Sequence, residues 1–144
     1  MAELLEQIEA YWSTRTEGYS EVNQKELEGK QRKAWLDVLQ EHFPKKEKEE
    51  IQILDIGTGP GFFPIILAEA GYHVTAVDYT EGMLQKAFEN AKKEEGDLLE
   101  RIQFHQMDAQ NLTFEDSSFD VVISRNLTWN LENPQKAYKE WCRV

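Results

Sequence analysis

The sequence predicts an α/β fold: a mostly parallel sheet of about four strands behind two N-terminal helices. Apolar residues recur at helical spacing within the first 44 residues, and from residue 51 onward short β-type runs alternate with helical stretches. The first of those runs also passes straight into a glycine-rich turn. Strands that alternate with helices argue for parallel neighbours, because a parallel pair needs a long crossover whereas an antiparallel pair closes through a tight turn. The crossovers are expected to be right-handed. A chain of 144 residues suits one hydrophobic core, hence a single domain with a helical cap over 1–44 and an α/β core over 51–144.

Leu4, Leu5, Ile8, Tyr11 and Trp12 share one helical face, as do Ala34, Trp35, Val38, Leu39 and Phe43. Between them Ser13 to Asn23 contains Thr14, Thr16, Gly18 and Ser20, a turn-rich composition that predicts a loop. Pro44 ends the second helix, and a charged linker leads to the strands. These are predicted at Ile51 to Ile56, Val74 to Val77, Ile102 to Met107 and Phe119 to Ser124, with a last helical run at Gln135 to Arg143.

Composition narrows the function. Sixteen Lys and Arg against 27 Asp and Glu give a formal charge of −11, a field that repels polyanions, so no nucleic-acid partner is expected. The one basic cluster, Lys45-Lys46-Glu47-Lys48, reads as a solvated linker. The longest apolar stretch, Phe62 to Ala68, is far short of the roughly 20 residues that cross a bilayer, and the acidic N-terminus does not resemble a secretory signal. A cytoplasmic setting is expected, in keeping with a single cysteine, Cys142. His42, His73 and His105 are scattered without ligand spacing, so no metal site is expected.

The informative segment is Ile53-Leu54-Asp55-Ile56-Gly57-Thr58-Gly59-Pro60-Gly61-Phe62-Phe63-Pro64, a strand, a glycine loop and a helix start. Glycines let backbone approach a ligand, and a helix start offers unpaired N–H groups. A dinucleotide fingerprint requires a small residue where Phe62 stands, and Asp55 would repel a pyrophosphate while suiting the cationic amino group of a methionine moiety. Asp78, at the tip of the second strand, is placed to accept hydrogen bonds from ribose hydroxyls, a role shared by dehydrogenases and methyltransferases. Asp108, after the third strand, is placed to accept from an adenine amine with apolar neighbours over the ring. Three acids at successive strand ends, where open α/β sheets bind ligands, reinforce one another.

With these motifs in hand, Ile53 to Gly61, Val74 to Leu84, Met107 to Leu112 and Phe119 to Arg143 resemble the successive motifs of class I S-adenosylmethionine-dependent methyltransferases. The likeness is strongest to the group that includes the ubiquinone and menaquinone methyltransferases. The resemblance implies a Rossmann-like three-layer sandwich and S-adenosylmethionine as cofactor, with S-adenosylhomocysteine as product and a small molecule as methyl acceptor. It implies that Asp55, Gly57, Thr58, Gly59 and Gly61 hold the methionine end and Asp78 the ribose. Tyr79 and Met83 would flank the adenine, Asp108 and Ala109 its edge, and Ser124 and Arg125 would line the cofactor after the fourth strand. The N-terminal segment would fold over it as a lid, with Tyr19 as its chief contact and Tyr11, Trp12 and Arg15 nearby. Tyr11 and Trp12 equally suit a helix packed on the sheet.

Methyl transfer from a sulfonium draws on proximity and desolvation, so no catalytic base is assigned. The segment Ser124 to Asn130 lacks the Asn/Asp-Pro-Pro-aromatic sequence of amide and adenine methyltransferases, and Trp129 is placed either at the acceptor or under the next helix. An aminopropyltransferase or a non-catalytic binding module would use the same pocket, while Phe62 and Asp55 disfavour a dehydrogenase. The implied fold has seven strands where four are visible here, so the fourth is expected at an open edge, giving a homodimer through that edge or marginal stability. Cofactor binding with little turnover is expected of the 144 residues, and enzyme activity of the complete protein.

Overall fold

The computed structural model describes residues 2–144. Its helices are α1 (Ala2–Glu28), α2 (Gln31–His42), α3 (Phe62–Glu69), α4 (Glu81–Lys93) and α5 (Pro134–Arg143). Its strands are β1 (Gln52–Ile56), β2 (His73–Asp78), β3 (Ile102–Gln106) and β4 (Val121–Ser124). They form one sheet in the order β3-β2-β1-β4, and every adjacent pair is parallel. The chain winds outward from β1 to β3 and then returns to the other side of β1. Ligands of open α/β sheets bind outside the carboxyl ends of the strands at such a reversal.

The sheet is packed on both faces, which explains the near-continuous apolar reading of β1. Ile53, Val74 and Ala76 join a core built with α3 and the partly buried Trp35, Leu36, Leu39 and Phe43 around α2. Leu54, Ile56 and Val77 join a second core with Ala109, Leu112 and Trp141. Ile56 pairs with Val77 on one side and with Ser124 on the other, so the ends of β1, β2 and β4 lie level beside one another.

Two expectations are corrected. Ser13 to Asn23 is helical, within the uninterrupted α1. The Thr14 and Thr16 hydroxyls donate back to the carbonyls of Tyr11 and Trp12 at 2.7 and 3.1 Å, so their turn-forming capacity is absorbed inside the helix. Ser20 and Asn23 are buried, and packing of this kind overrides weak local propensity. At β4, Phe119 and Asp120 precede the strand instead of belonging to it; its four residues are half-buried, at the edge of the sheet. The Asp120 carboxylate accepts from the Gln52 amide at 2.9 Å and from Lys46 at 2.8 Å, which anchors the entry to β1.

Gly61 caps α3 with φ +94°, and a Cβ there would lie 2.9 Å from the Cβ of Ala87 on α4. Gly18, in mid-helix, has open space where a Cβ would go. Gly61→Ala should therefore destabilise the fold by about 2–4 kcal/mol through strain and overpacking. Gly18→Ala should stabilise it by about 0.5–1 kcal/mol. Urea unfolding of both variants checks the opposite signs.

Candidate functional site

At the carboxyl ends of the strands lies a crevice of about 280 Å³, floored by the glycine loop and roofed by one face of α1. Asp55, Gly57, Thr58 and Gly59 line it from β1 and its loop, and Asp78, Tyr79 and Met83 from β2 and the start of α4. Asp108 and Ala109 enter after β3, Arg125 after β4, and Tyr19 from α1. Gly61 and Ser124 are the sequence-predicted site residues that do not line it. Gly61 is turned toward Ala87, and the Ser124 hydroxyl is buried without a hydrogen-bond partner.

Backbone hydrogen bonds fix the loop. The amides of Gly57 and Thr58 both donate to the Val77 carbonyl, at 2.9 and 3.0 Å, and the Gly61 amide donates to the Thr58 carbonyl at 3.1 Å. Gly59 has φ +56° and nothing within 4 Å of its Cβ position, which leaves bare backbone facing the crevice. Gly57, at φ +71°, has no such room, because a Cβ would meet the Leu127 side chain at 2.9 Å.

The charged groups are unusually placed. Burial pushes the Asp55 carboxyl up to about 7; the hydroxyl of Thr58, which donates to it at 2.6 Å, opposes the shift, while the nearby Asp78 adds to it. Burial likewise raises Asp78, although the amides of Thr80 and Gly59 each donate to its carboxylate at 2.9 Å. Arg125, the cation that lines the crevice among the described residues, favours the ionised Asp55 through space, yet its hydrogen bonds go elsewhere. It donates to both oxygens of Glu26 at 2.6 and 3.0 Å and stacks on Trp35 and Phe62 about 5 Å from their centroids. Buried Asp55 and half-buried Asp78 thus line one crevice and take their hydrogen bonds from neutral donors, an environment that a cationic, hydroxyl-bearing ligand would complete. Together with the open backbone at Gly59, this donor set fits an adenosyl sulfonium.

Val22, Asn23 and Glu26 also line the crevice and were missed from the sequence. The expected loop at 13–23 hid their period; Trp12, Tyr19, Val22 and Glu26 are spaced seven, three and four apart, which is a single helical face. Trp12 lines the crevice and meets Tyr19 edge to face at 5.2 Å. Tyr11 lies outside, exposed, with Arg15 over its ring. Trp129 is 68% exposed, 6.3 Å from Trp12 and not under a helix.

Comparison with known proteins agrees with this geometry. Residues 54–144 match the family model described as a methyltransferase domain, and the chain belongs to that family. It is 38% identical over 93 residues to a demethylmenaquinone methyltransferase of Clavibacter sepedonicus, covering 65% of this chain and 36% of that protein. A SAM-dependent methyltransferase from Aquifex aeolicus superposes with a TM-score of 0.63 at 28% identity, over 75% of this chain and 56% of that one. A Haemonchus contortus phosphoethanolamine N-methyltransferase, solved with phosphomonomethylethanolamine and S-adenosylhomocysteine, gives 0.62 at 30% identity, over 75% of this chain and 24% of that one. The fold is the Rossmann-like α/β sandwich of these enzymes. The chain spans little more than a third of the length of the first curated relatives it matches.

Because Glu26 is largely buried against Arg125, Glu26→Ala should cost about 1–3 kcal/mol by leaving the guanidinium without its partner. Thermal unfolding checks this, and an unchanged midpoint would mean that the pair does not hold α1 down.

Proposed function

We propose that the chain is the S-adenosylmethionine-binding part of a methyltransferase whose acceptor is a small molecule. The observation that carries the reading is the pair of carboxyls, buried Asp55 and half-buried Asp78, that line the crevice together with the bare backbone at Gly59. When bound, the cofactor supplies an electrophilic methyl on a sulfonium. Asp55 and the loop at Gly57, Thr58 and Gly59 hold its amino-acid end, with Gly61 setting the loop's far end from outside the crevice. Asp78 takes the ribose hydroxyls, while Tyr79, Met83, Asp108 and Ala109 enclose the base. Arg125 shapes the wall after β4, and Tyr19 on α1 closes the roof and excludes water. Residues 1–44 act as the cap of one cofactor-binding domain. The relatives support the acceptor class, since their names specify demethylmenaquinone and phosphoethanolamine chemistry.

We also propose that the open edge of β4 pairs with another strand, making the 144-residue chain self-associate as its concentration rises. The setting proposed is the cytoplasm, where the exposed thiol of Cys142 stays reduced.

Calorimetry should show S-adenosylhomocysteine binding to the chain, and Asp78→Ala should weaken it by about tenfold or more, as expected for lost charge-assisted hydrogen bonds. No binding at millimolar ligand would refute the reading.

The pH dependence has two opposite signs. The ionised Asp55 binds an ammonium, so affinity should rise as pH increases toward and through about 7. The folded carboxyl titrates above its ordinary value of 3.8, so its contribution to the stability of the ligand-free fold is complete below that value and is lost as pH rises through about 7. Binding and unfolding measured across this range should diverge, and parallel trends would contradict the assignment.

A further inference from the structure

Asn90 of α4 does not line the crevice, is 1% exposed, and joins three parts of the chain. Its side-chain amide donates to the Pro60 carbonyl in the glycine loop at 3.0 Å and to the Ser20 hydroxyl of α1 at 3.2 Å. Its side-chain oxygen accepts from Gln24 of α1 at 2.9 Å. A buried primary amide must fill both its donors and its acceptor, and α1 supplies two of these three partners. Asn90 follows Ala87 by one helical turn, on the same face of α4. Ala87 packs under Gly61, so one face of α4 presents both the floor and the polar hook for the same loop.

The peptide between Pro60 and Gly61 is consequently held at both ends. Asn90 grips its carbonyl, and its N–H donates to the Thr58 carbonyl at 3.1 Å. Pro60 follows Gly59 directly, and the Gly59 amide reaches Asp78 at 2.9 Å. A turned Asn90 would release the Pro60 carbonyl, and with it the constraint on the Gly59 backbone that faces the crevice.

We propose that Asn90 is a positioning residue that couples the seating of α1 to the shape of the glycine loop, so that the loop is fixed for its ligand only while α1 is docked. A merely structural Asn90 would hold α1 against α4 without affecting the loop. The binding readout below rests on the cofactor reading, whereas the exchange readout is independent of it.

The test compares Ser20→Ala/Gln24→Ala, Asn90→Ala and the triple variant, each checked for native circular dichroism. Amide hydrogen exchange at Gly57, Thr58, Gly59 and Gly61 reports the loop, and calorimetry with S-adenosylhomocysteine reports the site. Ser20 and Gln24 hydrogen-bond to Asn90 and do not line the crevice, yet their removal should speed exchange at Gly59 and Gly61 and weaken binding, each by about five- to tenfold. In the Asn90→Ala background the same two substitutions should add nothing further. The proposal is overturned if Ser20→Ala/Gln24→Ala speeds exchange only within α1, or if its effect on the loop multiplies with that of Asn90→Ala. Should Asn90→Ala fail to fold, the Ser20/Gln24 pair decides alone through the loop amides. Wild-type chain that binds no S-adenosylhomocysteine would remove the cofactor reading and leave the exchange comparison to decide the coupling.

Discussion

Two carboxyls near the ends of neighbouring parallel strands, Asp55 buried and Asp78 half-buried, govern the rest of this molecule. Asp55 and Asp78 reach the same crevice because β1 and β2 pair in parallel, with Asp55 opposite Ala76 and Asp78 two residues beyond it at the same end of the sheet. Antiparallel pairing would send their tips to opposite edges of the sheet. Desolvating a carboxyl is costly unless donors surround it, and here the donors are the Thr58 hydroxyl and the amides of Gly59 and Thr80. The glycine loop thus does more than make room: it turns its own backbone toward Asp78 and leaves Gly59 bare on the ligand side.

α1 is the second element that makes the crevice, and its attachment is largely polar. Its sequence is rich in charge, and Leu27 is the one large apolar residue it buries among the described residues, so apolar burial alone would seat it weakly. The Glu26–Arg125 pair fastens it to the segment after β4, and Asn90 fastens Ser20 and Gln24 to α4. Polar attachments of this kind are specific in register and modest in net strength, which suits a roof that must fit one position and still admit a ligand.

Much of this was legible in the sequence, for identifiable reasons. β1 and its loop combine a buried-strand pattern with glycines that need positive φ, a conjunction with few structural solutions. The acids at 55, 78 and 108 were legible because the ends of parallel strands are where such sheets bind ligands. The segment 13–23 was not, since Thr, Ser and Gly signal turns locally while their fate here is set by contacts with α4 some 70 residues away. Gly61 looked like a ligand contact because glycine loops are read as cradles, yet it serves helix packing against Ala87. The crossing of Arg125 to Glu26, 99 residues earlier in the chain, leaves no local trace at all.

The central claim is that Asp55 lies buried in a cleft completed by a cationic ligand. Its most direct test is a 13C NMR titration of the Asp55 side-chain carboxyl, with and without S-adenosylhomocysteine. The ligand-free chain should titrate near 7, far above the ordinary 3.8, and the complex should titrate well below the free value as the ligand's ammonium stabilises the carboxylate. An Asp55 that titrates near 3.8 in the free chain, or that does not respond to the ligand, would contradict the account.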